Sequence, residues 1–379
     1  MLAICQPLPS AARLHLAPFD ALFLRAACLA FPKDVILYLT DERSRELMRR
    51  HLETLPPNLR MLTAGLPEYG RRRFRLHIRL LQNLIACRQQ ALRHEANAIV
   101  YLAFHNVTSA LHFTKESPVP EYYVVHNNLQ RACSGLLENL CFRWLARRKV
   151  HLIFLEHAVS KTARTRFTLD PARVITIPHP IDDSGLCDPQ RGRGGSGIVL
   201  AGRLTRGKGV TTLLEAVRIL QDDARPSLER VPIRIVGPYH SGLKPNANLS
   251  HFVEYIERPL TDQDLNEIIS ASKFVVVPYE LKSYAYASPG AVYRALGCGR
   301  PVLLSNLPAV DCLVRGSPPI GMVFSDPQEL ARVISRVASI SEEEYTEFLE
   351  GVSECVRQRT VLATARRLQE ALTGVRLLV

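Results

Sequence analysis

Short apolar runs rich in β-branched and aromatic residues alternate along this chain with longer stretches whose apolar residues recur every three or four positions. In the first half the strand-like runs are LAICQPL (2–8), VILYLT (35–40), LRMLTA (59–64), AIVYLA (98–103), YYVVH (122–126), HLIFLE (151–156) and VITIP (174–178). Segments with helical spacing lie between them, such as 19–29 and 74–92. Strands separated by helix-length segments predict βαβ units and a mostly parallel sheet, because a parallel neighbour is reached only by crossing back over a sheet face.

The alternation stops at CDPQRGRGGSG (187–197), where Gly, Pro, Arg and Ser crowd together without apolar periodicity. That composition reads as a linker. The alternation then restarts as IVLAG (198–202), PIRIVG (232–237), HFVEYIE (251–257), FVVVP (274–278), PVLLS (301–305) and GMVFS (321–325). Residues 341–372 read as one helical stretch, with Ser341 as N-cap and a Glu-rich first turn. The predicted architecture is α/β, with two Rossmann-like doubly wound domains facing across a cleft. Residues 1–185 would form the first and 186–355 the second, with a helix in 356–379 crossing back to the first. Open parallel sheets bind ligands beyond the carboxyl ends of their strands, so the loops after each strand are where chemistry is expected.

A length of 379 residues suits two domains. Charge divides them. Lys and Arg number 48 against 36 Asp and Glu, a net charge of +12. Residues 1–185 hold 25 basic and 15 acidic side chains, residues 186–379 hold 23 and 21. An anionic partner is therefore expected for the first half. No apolar run approaches membrane-spanning length, and the opening MLAICQPLPSAARLH lacks the pattern of a signal peptide. Nine irregularly spaced cysteines without a CxxC pair read as reduced thiols of a cytosolic protein, not as a zinc site or disulfide framework.

The strongest chemical signal is AGRLTRGKGVTTLLEAV (201–217). A strand ends at Gly202, Arg203 and Lys208 flank a short loop, and Gly209 opens a helix. Arg can fork onto two phosphate oxygens and Lys adds a compact charge, so the unit suits a diphosphate. Gly202 to Lys208 also fits GxxxxGK, but the following Gly209 lacks the hydroxyl that a P-loop uses for Mg²⁺. The second signal is VVVPYELKSYAYASPGAVYRALGCGRPVLLS (275–305). Ser288 is the expected N-cap and Pro289 the first helical residue, leaving free N–H groups and a helix dipole for an anion. Asp262-Gln263-Asp264 has the DxD form of some metal-dependent transferases. Thr261 with Asp264 reads instead as a capping box opening a helix over 262–271, and no metal is expected.

These motifs, in this order, resemble the donor domain of GT-B glycosyltransferases, the large retaining family that includes sucrose synthases and bacterial mannosyl- and glucosyltransferases. GRLTRGKG resembles the family's G-R-(x)4-K-G loop, and IVGPYHSG (235–242) its Gly-rich loop near the base. RALGCGRPV (294–302) resembles its E-A-x-A-x-G-x-P-V segment, GSPPIGMVFSDPQELARVI (316–334) its closing elements, and VITIPHPIDD (174–183) its crossing between domains. The match covers roughly 174–337; the first 170 residues agree only in general layout. The resemblance implies that Arg203 and Lys208 bind the donor diphosphate and stabilise the leaving nucleotide. It implies that Gly202 belongs to the same loop and that Gly237, Pro238 and Tyr239 lie near the base. Ser288, Pro289, Gly290 and Ala291 would form the backbone donor set at a helix start. The family's two acidic positions fall on Tyr286 and Arg294 here, and Glu280 is the nearest carboxylate. His126 is the expected catalytic histidine of the first half, ahead of His105 and His157, since family members often carry a His after the corresponding strand. Pro9-Ser10-Ala11-Ala12 would approach the donor.

Two basic stretches remain. RRRFRLHIRLLQNLIACRQQALR (71–93) gathers Phe74, Ile78, Leu81 and Ile85 on one side among five arginines, and CFRWLARRKVH (141–151) carries Trp144. Each reads either as a helix lying on anionic lipid or as a core-facing helix with a solvated basic face. The chain thus reads as a metal-independent, retaining glycosyltransferase (hexosyltransferase) of bacterial surface polysaccharide synthesis. Its expected partners are a nucleotide-sugar donor, a polyprenyl-diphosphate-linked or other glycan acceptor, and the anionic inner face of the cytoplasmic membrane. The nucleotide diphosphate sugar is a substrate, and no cofactor is expected. No nucleic-acid motif is seen. A GT-B-fold sugar-nucleotide epimerase and a catalytically silent scaffold are the alternatives.

Overall fold

The computed structural model describes residues 1–8, 16–64, 73–112, 116–183, 194–223, 231–238, 251–258 and 260–376, without the side chains of 73–76 and 374–376. The chain forms two compact units. Met1–Pro180, Tyr286–Ser288 and Val361–Val379 make the first, and Ile181–Ala285 with Pro289–Thr360 the second.

In the first unit, strands β1 (Leu2–Cys5), β2 (Ile36–Thr40), β3 (Leu59–Thr63), β4 (Ala98–Tyr101), β5 (Glu121–Val125), β6 (His151–Phe154) and β7 (Val174–Thr176) form one sheet in the order β3-β2-β1-β4-β5-β6-β7. Every pairing is parallel, with β1 central and Leu2 beside both Ile36 and Ala98. Between the strands run α1 (Ala17–Ala30), α2 (Glu42–Leu52), α3 (Arg73–Arg93), α4 (Asn106–His112), α5 (Asn128–Ser134), α6 (Leu136–Ala146) and α7 (His157–Phe167). Strands β1, β2, β4 and β5 are buried along their whole length. This is why they read as unbroken apolar runs rather than as alternating ones.

In the second unit, β8 (Ile198–Ala201), β9 (Ile233–Val236), β10 (Val253–Ile256), β11 (Phe274–Val277), β12 (Val302–Ser305) and β13 (Gly321–Phe324) pair in parallel in the order β10-β9-β8-β11-β12-β13. Its helices are α8 (Val210–Asp222), α9 (Asp262–Ser270), α10 (Leu281–Tyr284), α11 (Gly290–Gly297), α12 (Asp311–Val314), α13 (Pro327–Ala338) and α14 (Glu342–Arg357). The last helix of the chain, α15 (Val361–Arg376), returns to the first unit.

All thirteen strand-like runs contain strands; twelve are trimmed by a residue or more at their ends, and β5 is shifted one residue earlier, to Glu121–Val125. The 341–372 stretch is two helices instead of one. Ser341 caps α14 through Glu344 N, as its sequence predicts. The helix then ends at Gln358, and Arg359 O accepts from Ile181 N at 2.9 Å. Tyr345 and Phe348 of α14 pack into the core of the second unit, whereas Val361, Ala365, Leu368 and Leu372 of α15 pack into that of the first, against α1. Apolar spacing continues across the break because each piece is amphipathic, and spacing does not tell which core a face meets.

Helix α3 buries Leu80, Leu84, Cys87 and Ala91, while Ile78 and Ile85 are exposed. Of the two readings of this stretch, the core-facing one therefore does not hold for Ile78 and Ile85. Under α3 lies a buried polar group. Arg88 Nε and Nη2 donate to the two oxygens of Glu121 on β5 at 2.8 and 2.7 Å, and Tyr101 Oη donates to the same carboxylate at 3.0 Å.

Candidate functional site

In the second sheet β8 is followed on one side by β9 and on the other by β11, so the chain reverses its winding between β8 and β11. The carboxyl ends of such a pair open a crevice. The two basic or helix-opening loops found in the sequence are the loops after these two strands.

After β8, Gly202 adopts φ +113°, a conformation that L side chains rarely adopt. Its N–H donates to Val236 O at 3.0 Å. Arg206–Lys208 form one 3-10 turn, and Gly209, at φ +66°, starts α8. Gly237, after β9, has φ +129°, and a Cβ there would lie 2.1 Å from Gly202 O. Leu204 N donates to Pro238 O at 3.0 Å. The 202–209 loop thus stands against the end of β9, with Gly202, Gly237 and Pro238 in one backbone assembly. Tyr239 lies outside the described residues, as do Pro9, Ser10, Ala11 and Ala12.

The loop after β11 closes on the other side. Glu280 N donates to Gly207 O at 2.9 Å. A Cβ on Gly207 would meet Ser283 Oγ at 3.1 Å, so the two turns are in contact. Lys208 sits between them. Its Nζ is 5.5 Å from the centroid of the Tyr279 ring and 3.4 Å from where a Cβ of Gly202 would stand. Burial lowers the Lys208 pKa, Tyr284 opposes the shift, and the charges of Arg203 and Arg294 reinforce it. Arg203 itself is exposed. Tyr279 and Tyr284, whose rings pack 4.4 Å apart, are site residues that sequence reasoning passed over. Their signal was the tyrosine-rich composition of 279–286, which carried no role of its own.

Helix α11 begins one residue later than expected. Its N-cap is Pro289, without a side-chain cap, and Gly290 is its first residue. Ser288 lies outside the helix, because proline fixes φ but here keeps ψ extended, at 107°. Gly290 is exposed, with no heavy atom within 4 Å of a would-be Cβ, and Ala291 is half-buried beside it. The start of α11 is thus open to a ligand, and α8 starts in the loop beside Lys208. Two helix N-termini and the cations between them suit a diphosphate.

The remaining predicted residues are placed less uniformly. Glu280 pairs with Lys282 at 3.2 Å. Arg294 pairs with Asp262 of α9 and donates to Asn266 Oδ1 at 3.2 Å. Thr261 and Asp264 form the reciprocal capping box, which accounts for the second carboxylate of the Asp-Gln-Asp run. Tyr286 groups with the first unit, where its N–H donates to Gln130 Oε1 at 2.9 Å.

The first sheet reverses its winding between β1 and β4. His105 follows β4 and is thus nearer that point than His126, which follows β5. His126 Nε2 lies 2.8 Å from Leu102 O, and its ring stands edge-on to Phe19 at 4.7 Å. A carbonyl only accepts, so Nε2 carries the proton of that contact. His105 Nε2 lies 3.3 Å from Glu138 Oε1 and its ring 4.8 Å from that of His77. Burial pushes the His105 pKa down to about 4, with Arg131 and His77 adding to the shift. His157 is exposed at the start of α7.

Residues 195–339 match the family model described as Glycosyl transferases group 1. The whole chain superposes on HepE of Anabaena solved in complex with UDP, with 16% identity, a TM-score of 0.70, and coverage of 98% of this chain and 99% of that one. Sucrose-phosphate synthase from Thermosynechococcus elongatus gives 15% identity and a TM-score of 0.72 over 100% of both chains. A glycosyltransferase from Rickettsia africae gives 12% identity and a TM-score of 0.67, covering 99% of this chain and 98% of the other. No curated protein sequence matches the chain.

Proposed function

We propose that this GT-B glycosyltransferase, whose second unit carries a Glycosyl transferases group 1 domain, holds the diphosphate of its nucleotide-sugar donor between the loops after β8 and β11. The observation that carries this reading is Lys208, a half-buried cation at the switch point whose Nζ lies 5.5 Å from the Tyr279 ring, with Arg203 at the same loop. As the bond from the sugar to the β-phosphate breaks, negative charge gathers on that phosphate. Fixed cations and the starts of α8 and α11 stabilise the charge there more than in the intact donor, which is what lowers the barrier. Gly237 and Pro238 border the base, and Gly290 and Ala291 offer backbone N–H groups to the phosphates. His126 orients an acceptor hydroxyl in the first unit. HepE was solved with UDP, which makes uridine nucleotides the first to test.

The transfer proceeds with retention and without a metal, to a glycan borne on a polyprenyl diphosphate at the inner membrane face, in surface polysaccharide synthesis. The charge of residues 1–185 supports an anionic acceptor carrier. At the two family-acidic positions stand Tyr286 and Arg294, so this chain contacts ribose and sugar differently. Arg294 reads a negative group on the donor, for which it must leave Asp262.

A screen of UDP-, GDP- and ADP-sugars by thermal shift identifies the donor, since a ligand that binds only the folded chain raises the melting temperature. Product analysis with and without a lipid-linked acceptor then separates transfer from epimerisation, which consumes donor alone. No shift with any nucleotide sugar would favour the silent scaffold, the reading to which the Arg294–Asp262 pair also lends support.

A further inference from the structure

We propose that the outward face of α6 is a docking surface for an anionic lipid bilayer, which the first unit contacts through leucines inserted between arginines. Ten large hydrophobic residues are exposed among the described residues, and six of them lie on α3, α4 and α6. Leu136, Leu137 and Leu140 of α6 are 78%, 62% and 56% exposed in the whole chain. Leu111 of α4 and Ile78 and Ile85 of α3 are exposed as well, and α4 packs against both neighbouring helices.

At about 100° per residue, Leu136, Leu137, Leu140, Arg143, Trp144 and Arg147 fall within an arc of about 120°. Phe142 and Leu145, buried, and Glu138 occupy the opposite arc. Glu138 is turned inward, 3.3 Å from His105 Nε2. That arc carries exposed leucines and arginines, a half-buried tryptophan and no carboxylate. Arg148 stacks on the Trp144 ring at 4.0 Å, and Lys149 follows. An amphipathic helix of this kind lies in the interface plane, its apolar side chains among acyl chains and its cations on lipid phosphates. The long Arg stems cover apolar surface while their heads reach the phosphates.

A second copy of the chain fits the face poorly. A two-fold contact would set Arg143 and Arg147 against their own images. The excess of ten positive charges over residues 1–185 also complements a lipid surface, not a like-charged chain. The surface deepens the reading that the acceptor is lipid-borne and rests on it.

Full-length protein is co-sedimented with vesicles of phosphatidylcholine alone and of phosphatidylcholine with phosphatidylglycerol. The comparison proteins are L136S/L137S/L140S and R143Q/R147Q, checked by melting curve and by elution volume. The wild type is expected to bind the mixed vesicles, to lose binding as salt rises, and to bind neutral vesicles weakly. The triple variant should melt as the wild type does and lose at least about tenfold in apparent vesicle affinity. Equal binding to both vesicle types, or unchanged binding by the triple variant, would overturn the proposal. So would a wild-type dimer that the triple variant dissolves, since the leucines would then face a second copy. UDP thermal shift read in parallel keeps the two readings apart. Vesicle binding without a nucleotide effect overturns the donor reading and upholds this surface, and the reverse result does the opposite.

Discussion

Gly209 approaches Pro278 so closely that a Cβ on the glycine would lie 1.6 Å from the proline carbonyl oxygen. The contact joins the loop after β8 to the end of β11, the two strands between which the donor is proposed to bind. At φ +66° a side chain is strained as well as blocked. Gly209→Ala is expected to destabilise the second unit by more than about 1 kcal/mol and to weaken nucleotide binding. Gly290→Ala, with open space around its would-be Cβ, should leave the melting temperature within about 1–2 °C of wild type. Melting curves with and without UDP check both.

Lys208 provides a pH signature. Burial and the neighbouring arginines lower its pKa, so the charged form is disfavoured while the site is empty. A bound diphosphate favours that charged form and raises the pKa again. Donor binding should therefore weaken as pH rises through the lowered value, and should take up a proton in the alkaline range. Calorimetry in buffers of different ionisation enthalpy reads the proton uptake, and Lys208→Gln should abolish it.

The Arg88–Glu121 pair tests the core of the first unit. Burial raises the Glu121 pKa, against the opposing pull of Arg88 and Tyr101. Arg88→Met leaves the carboxylate buried without its cation, a loss of about 3–5 kcal/mol. Arg88→Met with Glu121→Leu should recover most of that loss in denaturant melts.

Acid should weaken the first unit before it affects the carboxylates. Burial, aided by Arg88, pushes His112 down to about 3, and burial holds His105 at about 4. Their folded pKa values lie below the unfolded one. Their stabilising contribution is complete above the unfolded value and falls as pH drops toward the folded ones. The decline is about 1.4 kcal/mol per group for each pH unit. NMR titration should show both rings neutral at pH 5, and His112→Asn should flatten the decline.

Strands were legible because burial on both faces writes them as continuous apolar runs, as in IVLAG and FVVVP. The loops after β8 and β11 were legible because each packs its glycines and cations within a few residues. What was not legible depends on pairs far apart in sequence. Arg294 meets Asp262 thirty-two residues away, a contact that no spacing predicts. The break at Gln358 separates two amphipathic helices that serve different cores. Leu136, Leu137 and Leu140 of α6 carried no reading of their own in the sequence, and α6 leaves them exposed while burying Phe142 and Leu145. His126 drew attention by its place after β5, while the switch point falls beside His105. Which crevice a strand end borders is set by sheet order, and the sequence does not state that order.

Arg203 and Lys208 are proposed to hold the donor diphosphate. Titration calorimetry of UDP, and of the sugar nucleotide found by thermal shift, into the wild type and into Arg203→Ala/Lys208→Ala tests this assignment most directly. The double variant should melt near the wild type and lose at least about a hundredfold in affinity, two charge-assisted contacts of about 1.5–3 kcal/mol each. An unchanged affinity in a folded double variant would contradict it.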